Sequence, residues 1–173
     1  NSMTEFKYGL FSSFLLIIWM IIVYTLLFPN YHQFGSYISI IAFFIPFAGI
    51  YFGIKEKKLR SNFGYISFNE AFKSGMIITL IISVIMMVFV YVYYEYINPG
   101  YVDYLSAEAQ KVLLGNNASR EEINAEITIV KYDYGLNVQM IRQTLYVLAG
   151  GTITSLIAAF FLKKTRKEDL KKA

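Results

Sequence analysis

The sequence predicts an all-α integral membrane protein: a four-helix bundle with a short extracytoplasmic helical insertion between the third and fourth spans. Three observations carry this. Hydrophobic residues make up 56% of the 173 residues and charged residues 16%, well under the roughly 25% charge of a soluble domain. The apolar residues gather into four runs, each near the roughly 20 residues that a helix needs to cross a hydrocarbon core of about 30 Å. The lysines and arginines cluster at one end of those runs.

Asn1-Ser2 ahead of Met3 reads as a cloning remnant. Span one covers about residues 8–28, carries no charge and ends at Pro29-Asn30. It is too long for a signal-peptide core and lacks a small-residue cleavage site, which predicts a retained helix. Trp19 at its middle predicts packing. Pro29 to Gln33 makes a short linker, so spans one and two form a tight hairpin with His32 in its turn. Span two covers about residues 34–54. Pro46 should kink it, because proline removes a backbone donor and crowds the preceding turn. Gly49 and Gly53 stand one turn apart, a small-xxx-small pair that permits close helix approach.

Span three covers about residues 74–97. Ser67-Phe-Asn-Glu70 ahead of it reads as a capping box, and Met76 to Val92 contains no charged residue. Tyr91, Tyr93, Tyr94 and Tyr96 form an interfacial belt, and Asn98-Pro99-Gly100 stops the helix. The insertion, about residues 98–139, predicts two short amphipathic helices. Tyr101, Tyr104, Leu105, Val112 and Leu113 stripe the first, and Ile123, Ile127, Val130 and Tyr134 the second. Gly115-Asn-Asn117 separates them, and Ser119 with Glu122 makes a second capping box. Span four covers about residues 140–162 and is rich in small residues, of which Gly150 and Gly151 are candidate packing positions. A basic tail, residues 163–173, follows, so that residues 1–173 form a single membrane domain.

Twelve of the 16 lysines and arginines lie on the side of Lys7, the loop 55–73 and the tail; Lys111, Arg120, Lys131 and Arg142 lie on the other. The positive-inside rule then puts both termini in the cytoplasm. Two hairpins also repeat a pattern. Phe6-Lys7-Tyr8-Gly9 opens span one and Phe72-Lys73-Ser74-Gly75 opens span three, and each of these spans ends near a proline. Both start from the same side, which describes a parallel repeat about an axis along the membrane normal.

Chemistry is sparse. With no cysteine and one histidine, disulfides and multi-histidine metal sites within one chain are excluded. No cofactor is implied. A net charge of +4 follows from topology and does not call for nucleic acid. No ionisable residue stands mid-span, which argues against ion-coupled transport and voltage sensing. GxSxG, HExxH and Walker motifs are absent. Ser67, Asn69 and Glu70 are polar enough for catalysis, but capping uses Ser67 and Glu70 without any chemistry. Glu95 and Arg142 lie at similar depth beyond the inner markers Lys73 and Lys163, which predicts an ion pair across the outer ends of spans three and four. The competing reading is two charges snorkelling separately. Asn117-Ala-Ser119 matches a glycosylation sequon, a pattern common by chance. The basic loop and tail suit anionic headgroups at the cytoplasmic face, at about 1 kcal/mol per basic residue.

Lys7-Tyr-Gly9 opening the first span, Tyr51-Phe-Gly-Ile-Lys55 closing the second and Gly64-Tyr-Ile-Ser-Phe-Asn-Glu-Ala-Phe-Lys-Ser-Gly75 opening the third together resemble domain-of-unknown-function family 4199. Asn98-Pro99 and a polar insertion before the fourth span fit as well. The resemblance covers nearly the whole chain and is most specific from Gly64 to Gly75. It implies a small four-span protein of the bacterial inner membrane and carries over no activity or functional residue. The expected function is therefore a non-enzymatic accessory or interaction subunit, with a second copy or another membrane protein as partner. The alternative is a small transporter or channel for a neutral or lipidic solute, favoured by the repeat and by Pro46. A membrane enzyme would need Ser67, Asn69 and Glu70 to face a cleft.

Overall fold

The structure, a computed structural model, describes residues 3–23, 31–60 and 62–164, with only the backbone in 31–39. Its regular structure is helical throughout: α1 (Met3–Ile22), α2 (Tyr31–Arg60), α3 (Phe68–Val92), α4 (Tyr101–Gly115), α5 (Arg120–Asp133) and α6 (Leu136–Leu162). Among the described residues, Met3–Ile22, Phe68–Ile97 and Leu136–Leu162 are each long and apolar enough to cross a membrane.

The helices outrun the apolar segments that predict them. α1 begins at Met3, about a turn before the uncharged run, and α2 continues through Lys55, Lys57 and Lys58 to Arg60, which the sequence assigns to a loop. Lipid limits the apolar length of a helix, not its total length. Basic side chains in the last turn of α2 also favour its C-terminal dipole. The helical run of α2 passes through Pro46. It starts at Tyr31, so His32 belongs to a helix and not to a turn; Pro29 and Asn30 lie outside the described residues.

The connection after α2 turns sharply at Phe63 and Gly64, both in the left-handed region with φ of 52° and 83°. Glycine carries no penalty there, whereas Phe63 costs roughly 1–2 kcal/mol. The turn delivers Ser67 to the start of α3 as a cap: Ser67 Oγ accepts from Glu70 N at 3.2 Å, and Glu70 Oε2 accepts from Ser67 N at 2.9 Å. α3 ends in a π-helical turn, Tyr93–Ile97, closed by Asn98 N donating to Tyr93 O at 2.7 Å.

The chain divides into two compact units, Asn1–Met86 with Tyr146–Ala173, and Met87–Leu145. The interior of the first is built from small and hydroxylic residues: Ser12, Ser13, Ser74, Thr79, Thr154, Ser155, Ala158 and Ala159 are buried with Ile50, Ile54, Ile78 and Ile82. Three of the buried hydroxyls donate to a carbonyl of their own helix. Ser13 donates to Gly9 O at 2.7 Å, Thr79 to Gly75 O at 2.9 Å and Ser155 to Gly151 O at 2.6 Å. Large apolar side chains such as Phe6, Phe11, Phe14, Phe160 and Phe161 point outward. That inversion suits lipid, where helices associate by close packing and apolar side chains gain little by turning inward.

In the second unit α4 and α5 pack along a narrow seam. Tyr101, Ile123 and Val130 are buried, while Tyr104, Val112 and Tyr134 of the expected stripes are exposed. Two helices in a hairpin cover one line of each other, less than the full stripe that periodicity marks. α5 starts on the Ser119–Glu122 capping box, with both reciprocal bonds present.

Candidate functional site

The polar chemistry of the first unit collects where α1 and α3 begin and α2 and α6 end. Glu5 stands in the first turn of α1 and is 1% exposed. Its Oε1 accepts from Lys57 Nζ of α2 and from Ser74 Oγ of α3, the latter at 3.0 Å. Its Oε2 is buried and takes no hydrogen bond from the described residues. One carboxylate thus ties three helices together. Ser74 is fully buried, so the hydroxyl beside the carboxylate is closed to substrates, and the arrangement works as a latch.

A second carboxylate lies one residue from Lys57. Glu56 accepts from Lys7 Nζ at 2.9 Å and from Tyr8 OH at 2.7 Å, and Arg60 Nε stands 3.9 Å away. The Lys7 ammonium, then the Tyr8 hydroxyl, hold its carboxyl below the usual carboxylate range. α1 and α2 therefore meet through two ion pairs of opposite sense, Glu5 with Lys57 and Lys7 with Glu56. Reversed pairs of this kind fix the register of two helices, because a slip of one helix sets like charges against each other.

α6 closes the same end. Lys58 Nζ donates to Leu162 O at 2.8 Å, answering one of the carbonyls that every helix C-terminus leaves open. Ile66 and Lys164 exchange backbone hydrogen bonds at 3.0 and 2.9 Å.

Beyond the latch the helices approach through glycine. Gly49 lies so near Ser12 that a Cβ there would overlap its side chain, and Gly151 stands likewise against Thr79. A Cβ at Gly53 would come within 2.5 Å of Ile78 Cδ1. Gly150 is different: a Cβ there would meet only Phe43 Cε2, at an ordinary 3.8 Å.

In the second unit Arg142 Nη2 donates to Asp133 Oδ1 at 3.4 Å. The partner expected for Arg142, Glu95, is not within 4.0 Å of it, and Glu95 is exposed. Asp133 ends α5 and Arg142 stands on the second turn of α6, so the short α5–α6 connection brings them together. Ser67, Glu70, Ser119 and Glu122 all serve as caps, and Asn69 is exposed. The Ser119 backbone N–H, then its hydroxyl, hold the Glu122 carboxyl below its usual range. No group of three or more metal-ligating side chains occurs among the described residues.

Glu5, Glu56 and Lys57 are the residues that sequence reasoning passed over. Their signal was present: Glu5 and Glu56 are acidic residues set among Lys7, Lys55, Lys57 and Lys58 at the basic end of the spans. Carboxylates there run against the topological charge trend, so they need local partners.

No curated protein and no solved structure matches the chain. The profile of one family, described as a protein of unknown function, matches residues 7–164, from the lysine of the second ion pair to the backbone partner of Ile66. On that match, which takes in the glycine seam and most of the latch, the chain belongs to the family of unknown function DUF4199.

Proposed function

We propose that the chain is a four-span protein of a bacterial inner membrane, with both termini cytoplasmic, that serves as a non-enzymatic accessory or interaction subunit. α2 supplies the second span beside the three helices whose length and apolarity suffice on their own. The α4–α5 hairpin forms the extracytoplasmic insertion. The bilayer is the first partner, its anionic headgroups meeting the basic cytoplasmic end. A second copy or another membrane protein is the next.

One observation carries this reading: the interior of the first unit is filled at backbone distance. Gly49 against Ser12, Gly75 against Ser155 and Gly151 against Thr79 bring helices together where a solute path needs space. Glu5 and Glu56, the carboxylates where α1 and α2 meet at that unit's basic end, are each matched by a lysine of the neighbouring helix, which supports a structural use over a catalytic one.

The test is the mass of the protein extracted gently into lipid nanodiscs. Recovery as an oligomer, or with a defined second protein, supports the accessory reading. A single copy that retains one small molecule other than the surrounding phospholipids transfers the reading to a transporter for a neutral or lipidic solute.

A further inference from the structure

Along the α1–α2 seam stand a donor without an acceptor and an acceptor without a donor. Trp19 belongs to α1, and its indole Nε1 is buried with no hydrogen-bond partner among the described residues. Pro46 lies inside α2. Proline has no N–H, so the carbonyl four residues before it, that of Ala42, lacks the donor that a carbonyl inside an α-helix otherwise has. Trp19 stands twelve residues beyond Lys7, a rise of roughly 18 Å at about 1.5 Å per residue, on a helix long and apolar enough to cross a membrane. At that depth lipid offers neither group a partner.

The packing of the two helices brings these groups to one level and one face. Tyr8 lies against Gly53, where a Cβ would stand 3.2 Å from Tyr8 Cβ, and Ser12 lies against Gly49. Four residues forward on α1 are four back on α2, so the helices run antiparallel and in step. Trp19 comes eleven residues after Tyr8, and Ala42 eleven before Gly53. Eleven residues make three turns to within about 20°, so both return to the facing sides. Pro46 does not rotate α2 out of this register. Ile54, beside Gly53, lies at Gly75, where α3 meets Ser155 of α6; Phe43, beside Ala42, lies at Gly150 of α6. The same side of α2 therefore faces α6 before and after the proline.

We propose that α2 hinges at Pro46 and that the hinge has a catch: in its second position the Trp19 indole N–H donates to the Ala42 carbonyl. Helices bend sharply at proline, where a bond of the ladder is missing. An unmade hydrogen bond is expensive where the dielectric is low, and joining these two groups satisfies both at once. The latch decides which half moves. Glu56 and Lys57 tie the basic end of α2 to α1, so the part of α2 before Pro46 swings against a fixed remainder. The catch gives the subunit a moving part inside an interior otherwise closed by glycine contacts.

Trp19 is the one tryptophan of the chain, so its indole can be read without labelling. The experiment records the indole N–H vibration of the full chain in nanodiscs. A vibration is faster than any hinge motion, so bonded and open indoles appear as separate signals. Wild type should show both. P46A returns an N–H to the ladder, occupies the Ala42 carbonyl and should abolish the bonded signal. The chain has no cysteine, so spin labels on I40C and L59C, at exposed positions on either side of Pro46, report the bend directly. The labels should give two distances in wild type and one in P46A. W19F removes the donor while keeping the proline, and it too should leave one distance, which keeps the test independent of how P46A folds. A wild type with only the open indole, or with one label distance, overturns the hinge. A bonded signal that survives P46A means that water or another carbonyl is the acceptor, and overturns the catch.

Discussion

The α1–α2 hairpin and the pair formed by α3 with the later part of α6 use the same parts. α1 carries Gly9 and, four residues on, Ser13, whose hydroxyl donates to the glycine carbonyl; α3 carries Gly75 and Thr79 in the same relation. The returning helix of each presents a glycine to that neighbourhood, Gly49 near Ser12 and Gly151 near Thr79. The two differ at the latch. Glu5 stands four residues before Gly9, and Ala71 four before Gly75; Lys57 stands eight after Gly49, and Ala159 eight after Gly151. Both alanines are fully buried. One pair therefore has an ion pair where the other has two methyl groups. Packing of this kind does not require the ions, and what they add is register and a link to Ser74 on a third helix. A buried ion pair is often no more stabilising than apolar residues in its place, yet costly to break from one side.

The comparison can be tested hardest at the latch. E5A leaves Lys57 without its buried partner and should cost about 3 kcal/mol, read as unfolding in a fixed detergent. E5A/K57A copies the alanine pattern of the other pair and should recover most of that loss. A double variant no better than E5A would mean that the two pairs are not interchangeable at this position.

The glycine seam gives the next effect. G49A and G151A each push a methyl group into an occupied space and should cost about 1–3 kcal/mol. G150A meets only Phe43 at 3.8 Å and should be neutral or slightly stabilising, since alanine exceeds glycine in helix propensity by up to about 1 kcal/mol. A large loss at one of the two tight glycines and none at the other would break the equivalence of the seams.

The smallest effect concerns Glu56, which has no acidic counterpart: Lys73, placed like Lys7, has no carboxylate within 4.0 Å among the described residues. E56Q should cost about 0.5 kcal/mol, as exposed pairs do. Because Lys7 and Tyr8 lower the folded pKa of Glu56, its contribution is present above the unfolded value, near 4.3. It is lost as pH falls through the folded value. The stability difference between wild type and E56Q should be level from pH 7 to about 5 and shrink in more acid solution. A difference that grows on acidification would reverse the sign and discard the pairing.

Much of this arrangement was legible in the sequence. The apolar runs give the candidate spans because length and composition decide membrane crossing. Both capping boxes are local and could be read from four residues each. The latch was not legible because spans were bounded where charge begins. That rule cuts Glu5 from α1 and Lys57 from α2, although both helices run on. Depth counting likewise placed Glu95 beside Arg142, whereas the chain brings Asp133 back to Arg142 through a short connection. Counting along helices fixes height but not azimuth, and it is azimuth that decides which charges meet.

The backbone pair between Ile66 and Lys164 joins residues far apart in sequence, next to the Lys58 bond to Leu162. Synthesis runs from the N-terminus, so Lys58 and Ile66 are made long before α6 emerges. Until then an ammonium group and a short length of backbone edge stay open at the basic end. A chain stopped before Leu162 leaves both unanswered, so the closure of these helix ends depends on α6 having been made in full.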